Sequence, residues 1–197
     1  MTTADTEISC AATALRAGGA VIFPTDTVYG LGVAVGPART PAQLFELKQR
    51  PSDKPVAWLV GSVDALQVYG SQVPPAAFDL AKRFWPGALT LIIKANERVP
   101  KAFQSAAGTV GLRMPDSQVA LALLQEVGVP LATTSANISG QPAAVTDAQL
   151  DERLVAAAAA VIRGYDCPGG TASTVIDCTS DTLKIVRPGP ISLPEQE

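Results

Sequence analysis

Seven consecutive residues, Lys48-Gln49-Arg50-Pro51-Ser52-Asp53-Lys54, hold three of the chain's fifteen basic side chains. The rest of the protein is acidic and sparse in charge, with no histidine and a formal net charge of −3. A local cationic excess suits an anion, although a solvated loop after a helix carries the same residues without chemical purpose. A second cluster favours the anion. From Pro130 to Gly140 an apolar run opens into Thr133, Thr134, Ser135, Asn137 and Ser139. Hydroxyls and amides of this kind hold phosphate and sugar oxygens. Cations and polar donors together point to a nucleotide.

Other chemistries are excluded by residue type. The chain has no GxxxxGK[ST] loop and no GxGxxG motif opening a helix, so any nucleotide is held by another arrangement. Without histidine there is no His-based triad and no histidine-ligated metal. Cys10, Cys167 and Cys178 have no CxxC spacing and no partner for nucleophilic catalysis; they read as ordinary thiols of a reducing compartment. What remains is catalysis by positioning. Cations and a Mg²⁺ ion brought in with ATP stabilise phosphoryl oxygens while the substrate supplies its own nucleophile. Lys48, Arg50, Lys54, Arg113 and Arg187 are the candidate cations.

The elements that must position these groups are legible from periodicity and punctuation. Helices are expected over Ile8–Arg16, after Thr40-Pro41-Ala42-Gln43, over Ser62–Val68 and Pro74–Arg83, and from a cap at Asp116 or Ser117 through Val127. The helix after Thr40 should deliver Lys48 and Arg50 past its C-terminal end, away from its apolar face. Another helix is expected from the capping pattern Thr146-Asp147-Ala148-Gln149. Strands are expected over Ala20–Phe23, Val56–Val60, Leu89–Ile93, Val110–Met114, Leu131–Thr133, Thr174–Asp177 and Leu183–Val186. Between them, Thr25–Gly32 reads as a polar, glycine-punctuated turn and Gly164–Gly170 as a loop. This alternation predicts a mixed α/β sheet.

At 197 residues the chain fits one domain, 1–197 with an ordered core of about 5–190, able to fold without disulfides or a structural metal. Its 47% hydrophobic and 17% charged residues describe an aliphatic core. The acidic, polar N-terminus has no secretion signal, and the apolar run Leu154–Ile162 is about half of the roughly 20 residues that a membrane span needs. A soluble, cytoplasmic protein is expected.

Four junctions place polar groups just after an apolar run: Pro24–Gly32, Thr109–Pro115, Thr133–Gly140 and Gly169–Thr174. Ligands of α/β sheets sit where strands end, so convergence of these junctions would build one site. Glycines 30, 32, 140, 169 and 170 are explained as readily by turns that need positive φ.

In order along nearly the whole chain stand Phe23-Pro24-Thr25-Asp26-Thr27-Val28-Tyr29-Gly30-Leu31, Lys48-x-Arg50, Arg113-Met114-Pro115, Ser135-x-Asn137, Ser139-Gly140, Ser173-Thr174-Val175-Ile176-Asp177 and Arg187-Pro188-Gly189. This set resembles the YrdC/TsaC family, the threonylcarbamoyl-AMP synthases that begin the t6A modification of tRNA. The resemblance implies a YrdC-like twisted, mostly open mixed sheet flanked by helices, with a basic concave face. It implies a nucleotidyltransferase that condenses L-threonine, bicarbonate and ATP into threonylcarbamoyl-AMP and pyrophosphate. Carried over residue by residue, it implies Thr27, Arg113, Thr133 and Ser173 at threonine. Lys48, Arg50, Lys54, Thr109, Ser135, Asn137 and Arg187 would hold the nucleotide, with Lys48 and Arg50 as the catalytic pair. For Thr109 and Arg187 a capping hydroxyl and a surface cation are the plainer alternatives.

Two departures stand out. Leu59 occupies the position where many relatives carry a histidine that touches threonine, so other groups must complete that pocket. The chain also resembles the short, single-domain form, which passes its product to separate threonylcarbamoyl-transferase complex proteins. A competing function, double-stranded RNA binding in ribosome maturation, would use a basic concave face. The net charge of −3 and the lack of aromatic clusters weigh against it, leaving at most weak RNA or tRNA binding. A carbamoyl-adenylate-handling domain of the hydrogenase-maturation type shares the fold, but occurs in larger chains with cysteine clusters.

Overall fold

The computed structural model describes residues 3–49, 55–180 and 182–192. One mixed sheet of nine strands organises them, in the order β7-β1-β2-β6-β3-β5-β4-β8-β9. The strands are β1 (Val21–Phe23), β2 (Gly30–Ala34), β3 (Ala57–Leu59), β4 (Leu89–Lys94), β5 (Thr109–Arg113), β6 (Leu131–Ser135), β7 (Ala160–Val161), β8 (Thr174–Asp177) and β9 (Lys184–Arg187). The helices are α1 (Thr3–Arg16), α2 (Ala42–Lys48), α3 (Ala65–Tyr69), α4 (Pro75–Phe84), α5 (Gln118–Val127) and α6 (Glu152–Ala157). The sheet is open, with β7 and β9 as its edges, and helices flank it, as expected for a mixed α/β domain.

Because side chains alternate along a strand, the sheet separates two sets of residues. On one face Leu31, Trp58, Leu91, Leu112, Ala132 and Ile176 enter the larger core, shared with Leu44 of α2, Leu66 of α3, Ala77 and Ala81 of α4 and Leu154 of α6. On the other face Val21, Phe23, Ala34, Leu59 and Leu131 join Ala11 and Leu15 of α1 and Val119 and Leu123 of α5 in a smaller core. Helices α1 and α5 therefore cover one end of that second face, and its middle is left for a cavity. Register carries the polar residues there: Gly30 lies opposite Ser135, Gly32 opposite Thr133, Leu59 opposite Arg113, and Val175 opposite Arg187.

Local chemistry explains the elements. Ser117 caps α5, its hydroxyl accepting from Ala120 N at 3.3 Å, and Gly128 closes the helix in the left-handed region at φ +79°. Three expectations are corrected. The segment 25–32 is a turn only as far as Tyr29, because β2 begins at Gly30. Its glycines are strand residues whose missing side chains leave room: a Cβ on Gly32 would lie 2.9 Å from Thr133 Oγ1 and 3.0 Å from the Phe23 ring. The pattern at Thr146 forms a single 3-10 turn over Asp147–Gln149, with Gln149 Oε1 accepting from Thr146 N at 3.3 Å. Helix α6 starts afresh behind Asp151, whose carboxylate accepts from Arg153 N at 2.9 Å. Finally, Lys48 is the last residue of α2 and is buried, not displayed beyond the helix end. Among the described residues no helix is long and apolar enough to cross a membrane.

Gly32→Ala is expected to cost about 1–3 kcal/mol, since the added methyl must displace either the Thr133 side chain or the Phe23 ring in a closely packed layer. Urea unfolding of the two proteins measures the difference.

Candidate active site

The open middle of the second sheet face is a cavity of about 400 Å³. Its floor follows the two-residue period of five strands: Ala57 and Leu59, Thr90 and Ile92, Thr109, Gly111 and Arg113, Thr133 and Ser135, and Ser173 with Val175 line it. The expected threonine residues Thr27, Arg113, Thr133 and Ser173 all face this one space, joined by Thr109, Ser135 and Arg187 from the expected nucleotide set. Convergence of the four polar junctions is thus observed. Leu59 also lines the cavity and is apolar and buried.

Arg113 is the centre of the polar wall. It is only 7% exposed, at the end of β5. A buried guanidinium is stable only if its N–H groups and its charge are matched. Nε donates to Gly87 O at 3.1 Å, Nη1 donates to Thr27 Oγ1 at 3.0 Å, and Nη2 pairs with the Asp26 carboxylate. Burial pulls the guanidinium pKa down and Asp26 pulls it back up, which keeps the cation in place. Of five guanidinium N–H donors, three are occupied by acceptors among the described residues, leaving two Nη hydrogens.

The loop before β2 is held by its own hydroxyls. Thr25 Oγ1 donates to Val28 O at 2.7 Å, accepts from Thr27 N at 3.2 Å and lies 3.0 Å from Thr27 Oγ1. Gly169 N donates to Asp26 O at 2.9 Å from outside, so the 164–170 loop clamps Asp26 and Thr27. A Cβ on Gly169 would lie 2.6 Å from Asp26 O, which requires glycine at that approach. On the opposite wall Thr90 Oγ1 and Ser173 Oγ are 2.8 Å apart, both buried. Arg187 donates to Ser173 O through Nε at 3.0 Å and Nη2 at 2.7 Å, and to Ser173 Oγ at 3.0 Å. Arg187 is therefore fixed against the cavity wall by Ser173, just before β8.

Lys48 and Asn137 stand behind the wall instead of in it. The Lys48 ammonium, 3% exposed at the end of α2, donates to Ser135 O, to Asn137 O at 2.6 Å and to Asn137 Oδ1 at 3.0 Å. The Asn137 amide donates to Gln141 O at 2.6 Å and Ile138 O at 3.0 Å, while its Oδ1 accepts from Ser135 Oγ. The two side chains thus shape the 135–141 corner that presents Ser135. Arg50 and Lys54 lie outside the described residues.

Several contributing groups escape a reading by residue type. Asp26 and Thr25 sit in a junction that the sequence marks as polar, but nothing there shows that Asp26 meets an arginine 87 positions away. Thr90 is a polar residue within the strand Leu89-Thr90-Leu91-Ile92-Ile93, a break in apolar character that could have flagged a ligand-facing position. The Gly87 carbonyl has no sequence signal. Among the described residues no group of three or more His, Cys, Asp or Glu could hold a metal ion.

The family model of Sua5, YciO and YrdC, described as telomere recombination, matches residues 13–189. The chain is 39% identical over 191 residues to the threonylcarbamoyl-AMP synthase of Pyrococcus abyssi, covering 97% of this chain and 56% of that protein. To the threonylcarbamoyl-AMP synthase of Bacillus subtilis it is 37% identical over 193 residues, covering 98% of this chain and 56% of that protein. It spans little more than half the length of these relatives. Among solved structures, the Sua5 protein of Pyrococcus abyssi complexed with L-threonine superposes with a TM-score of 0.87 at 39% identity, covering 92% of this chain and 54% of that one.

Lys48→Ala is expected to lower stability by about 2–3 kcal/mol, because it removes a buried charged donor and leaves the Ser135 and Asn137 oxygens without it. The shift in urea midpoint measures this. An unchanged midpoint would show that the 135–141 corner holds itself.

Proposed function

The chain belongs to the Sua5/YciO/YrdC family, and on that premise we propose that it condenses L-threonine, bicarbonate and ATP into threonylcarbamoyl-AMP and pyrophosphate, the first step of t6A formation in tRNA. The observation that carries this reading is the single cavity in which Arg113, with two N–H donors to spare, faces the hydroxyls of Thr27, Thr133 and Ser173. A guanidinium fork matches a carboxylate, and small hydroxyls around it match an amino acid that carries both an amine and a hydroxyl.

In this reading threonine occupies the end of the cavity at Arg113, Thr27, Thr133 and Ser173. The nucleotide lies toward Thr109, Ser135 and Arg187, with Arg50 and Lys54 reaching it from their segment. Lys48 and Asn137 support it from behind by fixing Ser135. Mg²⁺ enters on the phosphates of ATP as part of the substrate. The threonine amine captures dissolved CO₂ with loss of a proton, or bicarbonate with loss of water, and the resulting carbamate oxygen attacks the α-phosphorus, displacing pyrophosphate. The protein contributes orientation and charge neutralisation and forms no covalent intermediate. Leu59 fits this scheme as an apolar wall beside the amino-acid end, where the methyl group of threonine can be buried. The product passes to separate transferase proteins in the cytoplasm.

The test is pyrophosphate release in degassed buffer with each component omitted in turn. Release is expected only with threonine, bicarbonate and ATP together, with an AMP-linked product. Full-rate release without threonine, or ADP and phosphate as products, would identify a plain ATPase. Thr27→Val is expected to raise the apparent constant for threonine about tenfold with little effect on that for ATP, as it removes from the amino-acid end a hydroxyl that also accepts from Arg113 Nη1.

A further inference from the structure

The turn that feeds β5 is organised by one hydroxyl. Ser105 N donates to Thr109 O at 2.9 Å, Gly108 N donates to Ser105 O at 2.9 Å, and Gly108 takes φ +71°, so residues 105–109 close on themselves as the strand begins. Inside this turn Ser105 Oγ accepts from Ala107 N and from Thr109 N, each at 3.2 Å. A serine oxygen has two lone pairs, and both are taken. Ser105 Oγ also lies 2.7 Å from Thr109 Oγ1, a distance that requires a hydrogen between the two oxygens. With no lone pair left on Ser105, that hydrogen is its own.

Thr109 is thereby left as a donor. Its oxygen accepts from Ser105, and among the described residues its hydroxyl has no other partner, so its hydrogen is uncommitted. The capping role open to Thr109 is filled by Ser105 instead. Thr109 belongs with Gly111 and Arg113 to the side-chain set of β5 that lines the cavity. Four residues of strand separate it from Arg113, about 13 Å between backbones and farther than an amino acid held at Arg113 extends. Lys54 directly precedes Pro55, which lines the same cavity. A half-buried hydroxyl with a hydrogen to give therefore stands away from the carboxylate fork, on the nucleotide side.

We infer that Ser105, which does not itself need to touch the ligand, is a positioning residue that holds Thr109 as a hydrogen-bond donor to an acceptor oxygen of the nucleotide. The inference rests on the proposed ATP-dependent reaction and adds to it the sense in which Thr109 meets ATP. Phosphate oxygens only accept, and ribose oxygens can accept, so a hydroxyl with its hydrogen free suits either. Had Ser105 taken the Thr109 hydrogen, Thr109 would present only a lone pair, which repels a phosphate oxygen. The two backbone N–H groups that fill the Ser105 lone pairs prevent this.

Calorimetric titration of Mg-ATP and, separately, of L-threonine tests this on the wild-type protein, on single variants at the two positions and on the double variant. Thr109→Val should weaken ATP about tenfold and leave threonine within about twofold, while Thr109→Ser keeps the hydroxyl and should bind as wild type. Ser105→Ala should weaken ATP about threefold by itself and add nothing in the Thr109→Val background, because its effect runs through the Thr109 hydroxyl. Ser105→Thr should bind as wild type. An unchanged ATP affinity in Thr109→Val, an equal loss of threonine, or a Ser105→Ala effect that persists in full without the Thr109 hydroxyl overturns the inference. If Ser105→Ala does not fold, Ser105→Thr decides, since weakened ATP binding in that variant also overturns it. Tripolyphosphate and adenosine, titrated on wild type and Thr109→Val, identify the oxygen: parallel loss of tripolyphosphate assigns it to a phosphate and of adenosine to the ribose, and loss of neither overturns the assignment. If wild type binds no ATP at all, the functional reading fails and this inference with it. ATP binding that Thr109→Val leaves intact defeats this inference alone.

Discussion

A guanidinium buried to 7% exposure must have its charge and its N–H groups matched, and the site is arranged around meeting that demand for Arg113. Asp26 supplies the opposite charge and Thr27 a hydroxyl oxygen from one loop, and Gly87 a carbonyl from a second segment. One side chain on β5 thereby ties the loop before β2 to the turn before β4. Each partner is held in turn. Gly169 N fixes the Asp26 carbonyl, and Met114 O accepts from Gly87 N at 2.8 Å. Removing Arg113 would release both segments at once, whereas any single partner is backed by the others.

The division of the second sheet face follows from covering only part of it. Helices α1 and α5 bury Val21, Phe23, Ala34, Leu59 and Leu131 at one end, and the strand middles beyond them carry glycine, alanine and threonine. Gly111 and Ala57 oppose each other across β3 and β5, while Gly30 and Gly32 lie opposite Ser135 and Thr133. Small side chains at paired positions lower the floor of the sheet, and the larger apolar residues needed for stability sit on the other face. A concave site and a stable core are thus built on the same strands by alternation.

Lys48 shows how the same residue type can serve a different purpose from the expected one. As the last residue of a seven-residue helix it turns inward and satisfies carbonyl and amide oxygens of the 135–141 corner. A buried ammonium needs such oxygens as much as they need it. Its contribution to nucleotide binding in the proposed reaction therefore runs through Ser135, which it holds at the cavity wall.

The amino-acid sequence by itself determined most of the element types and the four polar junctions that meet at the cavity. Strand residues such as Val110–Arg113 and helix ends such as Ser117 and Gly128 are set by local propensities and caps, which act over a few residues. The ordered motifs also singled out Thr27, Arg113, Thr133 and Ser173, and all four line one cavity. Local rules misread β2, because Gly30 and Gly32 look like turn residues until the Phe23 ring and Thr133 are seen filling the space above them. They likewise could not show that Lys48 points inward, that Asp26 belongs to Arg113, or that Thr90 belongs to Ser173. Those pairings depend on strand register and on which sheet face each side chain takes. Only the folded sheet decides them, since a one-residue change of register sends every side chain of a strand to the other face.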